Sequence, residues 1–126
     1  AAWTLINLNA MTEEALLATI PNFSNRMVRE FFEYQPYASI QVFRREIGKY
    51  VDDAQVSEWE QYVYVPVDRN QADTATLMQL PGVDEAIATA LSDGRPYADN
   101  GAFLTALAAH ITADQLAQAS CYLEGA

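Results

Sequence analysis

Apolar residues recur along this chain at helical spacing and in short runs. Met27, Phe31 and Tyr34 fall at i, i+4 and i+7 and make one stripe; Ile87 and Leu91 begin a second. Capping residues stand before the stripes. Thr12 precedes the acids Glu13 and Glu14, which favour the positive end of a helix, and Asp73 stands before a later stretch. Ser39 and Asp99 follow the Pro-Tyr-Ala turns, while Asp52 with Gln55 and Thr112 with Gln115 have capping-box spacing. Pro21, Pro81, Pro36 and Pro96 break the stripes, and Gly82 and Gly94 offer positive-φ positions. The pattern predicts eight short helices, over 12–19, 24–34, 39–48, 53–63, 73–79, 84–93, 99–109 and 112–123. No segment alternates long enough to predict a sheet. "YVYVPV" at 62–67 reads as an extended link without a visible strand partner.

The second four helices repeat the first four. At an offset of sixty, Leu17, Pro21, Pro36, Tyr37, Ala38, Phe43, Gln55 and Tyr62 meet identical residues. Those eight identities exceed the about three expected by chance for ordinary composition. Apolar character repeats more widely: Ile20, Met27, Phe31 and Ile47 meet Leu80, Ile87, Leu91 and Leu107. Before Pro21 the register slips by one, so that Asn9 pairs with Asn70 and Leu16 with Leu77. The chain reads as a duplication joined near Val65-Pro66-Val67, with halves 1–65 and 66–126.

Composition narrows the function. Hydrophobic residues are 51% and charged residues 19%, a globular balance. No apolar run approaches the ~20 residues that span a bilayer. The "AAW" opening would suit the mature end left by a removed signal, or equally a trimmed terminus. The single Cys121 excludes an internal disulfide. Seven Lys and Arg face seventeen Asp and Glu, a net charge of −10, which repels nucleic acid and anionic membranes alike.

"INLNAMTEEALLATIPNFSNRMVREFFEYQPYAS" resembles the helix-hairpin-helix domain found in the ComEA family of competence DNA-uptake receptors and in the photosystem II extrinsic subunit PsbU. Ile6-Asn7-Leu8-Asn9 matches the opening phrase of that family. Pro81-Gly82-Val83 matches its hairpin, and Pro36-Tyr37 and Pro96-Tyr97 match its turn. A second hairpin per half falls at Gly48-Lys49-Tyr50 and at Ala108-Ala109-His110. The resemblance implies an all-α chain of two tandem (helix-hairpin-helix)2 domains, SAM-domain-like small helical bundles. It also implies an exported, periplasmic or lumenal location. In nucleic-acid-binding members the hairpin reads Gly-apolar-Gly and its N–H groups approach a phosphate. Here the first hairpins read Asn22-Phe23-Ser24 and Gly82-Val83-Asp84, and Asp84 and Glu85 put negative charge where the phosphate belongs.

No sequence pattern for catalysis, a metal or a cofactor is present: no phosphate-binding loop, no nucleophile elbow, no zinc or EF-hand spacing. The lone His110 reads as a helix-end residue held by a neighbour such as Asp114. The pairs Glu13-Glu14, Asp52-Asp53 and Asp84-Glu85 read as helix-start acids. Arg26, Arg29, Arg44, Arg45 and Lys49 form the only basic cluster, expected to pair with Glu30, Glu33 and Glu46. Phe31 and Phe32 are consecutive, so one of them is expected to face outward, and Trp3 to dock elsewhere. Trp3, Arg26, Arg29, Phe32, Arg44 and Arg45 are therefore the candidate partner contacts. The expected function is a non-catalytic protein-interaction module, an accessory subunit of a larger complex. The alternative is a ComEA-like DNA-binding protein.

Overall fold

The computed structural model describes residues 3–125, so Ala1 and Ala2 of the opening triplet lie outside the described residues. Among these the chain is mostly helical, and it divides into two compact units, Ala1–Val65 and Pro66–Ala126. The first unit holds β1 (Ile6–Asn7), α1 (Glu13–Thr19), α2 (Asn25–Glu33), α3 (Ile40–Ile47), α4 (Asp53–Trp59) and β2 (Val63–Tyr64). The second holds α5 (Thr74–Leu77), α6 (Glu85–Asp93), α7 (Asn100–Ala108), α8 (Ala113–Ala119) and a closing 3₁₀ turn, Ser120–Tyr122.

Every α-helix starts at a side-chain cap. Thr12, Ser24, Ser39 and Asp52 accept from the backbone N–H groups of Ala15, Met27, Val42 and Gln55. Asp73, Asp84, Asp99 and Thr112 do the same for Thr76, Ile87, Ala102 and Gln115. Each cap satisfies a donor that the helix itself cannot, worth about 1 kcal/mol. Gly94, expected at positive φ, instead takes φ −82° as the cap that ends α6.

The expected absence of any sheet needs correction. Ile6 and Asn7 run parallel to Val63 and Tyr64; Ile6 N–H donates to Tyr62 O at 2.9 Å and Leu8 N–H to Tyr64 O at 3.0 Å. In the second unit Val67 bridges Leu123, with Val67 N–H on Tyr122 O at 2.8 Å and Glu124 N–H on Val67 O at 2.9 Å. Each unit thus ties its own beginning to its own end. Helices expected to reach 63 and 123 stop at Trp59 and Ala119, because Val63 and Leu123 must be extended to make these pairings.

A second tie joins each opening segment to its Pro-Tyr turn. Asn9 Nδ2 donates to Tyr37 O at 2.9 Å, and Tyr37 N–H donates back to Asn9 Oδ1 at 2.6 Å. Asn70 and Tyr97 form the same reciprocal pair at 3.1 and 2.7 Å. Each asparagine is set in place by a neighbour: Asn7 Oδ1 accepts from Asn9 N–H, and Asp68 Oδ1 from Asn70 N–H, both at 2.8 Å. The tyrosines then reach inward, Tyr37 O–H donating to Phe31 O and Tyr97 O–H to Leu91 O, each at 2.7 Å. Burial pushes the Tyr37 phenol well above the ordinary tyrosine range, so it stays a donor. The residue before each proline, joined to it by a cis peptide bond, closes the same gap. Gln35 Nε2 donates to Leu8 O at 2.7 Å, and Arg95 Nε to Arg69 O at 2.9 Å.

The two cores are filled differently. In the first, the fully buried Phe31 meets Phe23, Phe43 and Trp59 edge-on at 4.8, 5.3 and 5.6 Å between ring centres. In the second, Val83, Leu91 and Ala119 stand where Phe23, Phe31 and Trp59 do, around Leu77, Leu80, Phe103 and Leu107. Phe31→Ala is expected to lower stability by about 3–5 kcal/mol. Asn9→Ala is expected to cost about 1–3 kcal/mol by stranding the Tyr37 backbone groups. Asn9→Asp should also destabilise despite its matching shape, because a carboxylate cannot donate to Tyr37 O. Urea unfolding of each variant measures all three.

Candidate functional site

The hairpin turns turn one residue inward and one back onto the helix. Phe23 and Val83, the middle residues, are buried in the cores. Asn22 and Gly82 carry the reversal at φ 59° and 78°. Ser24 and Asp84 are the caps, and they accept from the Met27 and Ile87 N–H groups, one of the free donors at each helix start. The acidic pairs fall into the same role: Glu13 and Glu14 lie in the first turn of α1 after the Thr12 cap. Asp52 caps α4, followed by Asp53, and Asp84 caps α6, followed by Glu85. Asp114 occupies the first turn of α8. Of the four hairpin-type helix starts, only that of α2 lacks an acid.

The basic cluster is largely spent within the first unit. Arg44 forks onto Glu60 at 2.8 and 2.9 Å, a residue sixteen positions on that caps the end of α4. Arg45 and Lys49 share Glu46 at 2.9 and 2.8 Å. These bonds hold the Glu46 carboxyl below its ordinary range, Lys49 first and Arg45 second. Arg26 lies 5.9 Å from the centre of the Tyr50 ring, and Lys49 5.6 Å from that of Tyr34. Arg29 is exposed. In the second unit both cations face backbone. Arg69 donates to Tyr97 O, Ala98 O and Asn100 Oδ1, and Arg95 to Arg69 O and Ala72 O.

Under the cations of the first unit lies a hydroxyl–carboxyl network. Tyr34 and Tyr50 share a hydrogen bond of 2.7 Å. One oxygen of Glu30 is buried without a hydrogen-bond donor. Hydrogen bonding to Glu30, then its like charge, pushes the Glu33 carboxyl upward. The Tyr34 hydroxyl first, then Glu30, pushes the Tyr50 phenol far above the ordinary range. Ala90, Asp93, Gly94 and His110 occupy the corresponding places in the second unit. His110 is exposed, and its ring makes no hydrogen bond to Asp114 or to any other described residue.

Among the described residues three large apolar side chains are exposed: Trp3 at 38%, Leu17 at 40% and Met78 at 44%. Trp3 rests edge-on against Tyr64 at 5.5 Å. Leu17 and Met78 each follow a fully buried leucine, Leu16 and Leu77, Leu17 within α1 and Met78 as the residue that caps the end of α5. The register slip before Pro21 is therefore structural, and Leu17 is the counterpart of Met78 rather than Leu77. Phe32 is half-buried while Phe31 is fully buried. Leu17 and Met78 were legible by the rule applied to Phe31 and Phe32: of two consecutive large apolar residues on a helix, one faces out.

Among the described residues no three or more His, Cys, Asp or Glu are grouped to hold a metal ion, and no helix is long and apolar enough to cross a membrane. Cys121 is free and half-buried. Comparison with protein-family models, with curated proteins and with solved structures found no match to this chain.

The two glutamates predict opposite pH behaviour. Glu33 is raised in the fold, so its ionisation opposes folding as pH rises through the carboxyl range; Glu46 is lowered, so its contribution is present above that range and lost as pH falls through its folded value. Glu33→Gln should raise Tm at pH 7, and Glu46→Gln should lower it. Both differences should fade below about pH 4, measured by thermal melts across pH.

Proposed function

We propose that this chain is a tandem helix-hairpin-helix protein that acts as a non-catalytic protein-interaction module, a small extrinsic or accessory subunit of a larger assembly, exported to a periplasm or lumen. The observation that carries the reading is how the hairpin ends are used. One N–H at each hairpin end is taken by the chain's own cap, and acids stand at the starts of α4, α6 and α8. A charge facing a phosphate at ~4 Å costs about 1 kcal/mol even in bulk water, and more near protein. Exposed apolar side chains stand at matching places in the two units, Leu17 and Met78, and these we assign to a partner surface.

The ComEA-like alternative has one observation in its favour: the start of α2, capped by neutral Ser24, carries Arg26 and the exposed Arg29. Fluorescence anisotropy with duplex DNA separates the two. The module reading predicts no binding even at low salt. The alternative predicts an affinity that falls steeply with salt and is abolished by charge reversal at Arg26 and Arg44. Native mass spectrometry of the source assembly should show the chain at fixed stoichiometry, and Leu17→Asp with Met78→Asp should release it. A chain found only free, with salt-sensitive DNA binding, would overturn the module reading.

A further inference from the structure

The two hairpins differ at a coupled pair of positions. In the second unit the Gln115 side chain lies across Gly82: a Cβ there would meet the Gln115 amide at 2.7–2.8 Å. The capping box holds that amide in place, with Thr112 N–H donating to Gln115 Oε1 at 2.9 Å. In the first unit Asn22 takes the turn and brings the Cβ that Gly82 lacks. Gln55 accordingly leaves its expected capping box. Its side chain turns to Glu58, Nε2 lying 3.4 Å from Oε2, although Asp52 still accepts from its backbone N–H. Between turn and helix lies a cleft of about 160 Å³. Ile20 and Pro21 give it an apolar side, Trp59 and Tyr62 an aromatic one, and Asn22, Gln55 and Glu58 a polar rim.

The chemistry of this lining selects its ligand. Pro21, Tyr62 and the edge of Trp59 offer an apolar strip for a stem within a lining that is mostly polar. The rim offers amide carbonyls and one carboxylate, and no cation is among the lining residues. Trp59 is held edge-on against Phe23 at 5.2 Å, so the aromatic side is a fixed surface. The volume lies well under the ~300–1,000 Å³ of pockets for drug-sized ligands, which leaves room for one side chain. In the second unit Gln118 and Ala119 replace Glu58 and Trp59, and Gln115 covers the turn. The chain's net charge of −10 draws basic groups toward it.

We infer that the cleft beside Asn22 receives a lysine or arginine side chain of a protein partner, its stem against Pro21, Trp59 and Tyr62 and its cationic head on Glu58 and the Gln55 carbonyl. This rests on the reading of the chain as an interaction module. The probes are n-butylammonium and n-butylguanidinium, titrated into the ¹⁵N-labelled full chain, with n-butanol as the neutral control. Either cation should shift the Trp59 indole and the Asn22 and Gln55 side-chain amides saturably, with a Kd on the order of millimolar. Butanol should bind more weakly. Glu58→Gln should weaken the cations roughly three- to fivefold, the scale of an exposed ion pair. Asn22→Gly, which restores the room for Gln55 to close, should abolish the shifts. No saturable shift, butanol binding equal to the cations, or a Glu58→Gln chain that binds unchanged would overturn the cleft assignment. These probes need no partner, so such a failure, beside a chain still found in its complex, would strike the cleft and leave the module reading standing.

Discussion

The reciprocal bond between an asparagine amide and a tyrosine backbone organises each unit. A helix supplies its own hydrogen bonds, but the segments between helices do not. The asparagine of the opening segment and the tyrosine of the Pro-Tyr turn are 28 residues apart in the first unit and 27 in the second, and each segment has backbone groups that secondary structure leaves unpaired. One Asn side chain serves both ends of the turn residue, as donor and as acceptor. With the segment so fixed, Ile6 or Val67 is delivered to the end of its own unit. The Tyr ring passes inward to a helix carbonyl.

Around that shared frame the units differ at matched pairs of positions. Leu8 with Gln35 and Arg69 with Arg95 make the same closure by different chemistry: a neutral amide over a buried leucine in one, two guanidinium groups spread over carbonyls in the other. Asn22 with Gln55 and Gly82 with Gln115 are a second such couple, in which one Cβ decides where an amide lies. The aromatic centre about Phe31 gives way to Leu91 with Ala119. The first unit keeps the ion pairs, the tyrosine pair and the cleft. The second spends both of its cations on its own carbonyls and on Asn100, while Asp68 holds a turn and Asp73, Asp84 and Asp99 cap helices.

What the sequence revealed was local. Caps, prolines and the i, i+4 stripes act within a turn or two, so all eight helices are legible, and the offset of sixty makes each half a check on the other. The ends of α4 and α8 were misjudged because Val63 and Leu123 keep an apolar pattern while a distant strand partner sets their backbone. Asn9 was visible as part of a phrase, but its bond to Tyr37 was not, since nothing local ties residues so far apart. Arg44 was assigned to near acids and found Glu60 at the capped end of the next helix. The capping box at Asp52 is half made: Asp52 accepts from the Gln55 N–H, but the Gln55 side chain turns to Glu58 one helical turn on.

Amide hydrogen exchange at Tyr37 and Tyr97 reads the central interaction directly. If each asparagine holds its unit together, both amides, though they lie outside helices, should be protected as strongly as those in the middle of α3 and α7 and should lose protection with them. Exchange at the rate of an open loop, at either tyrosine, would contradict the account.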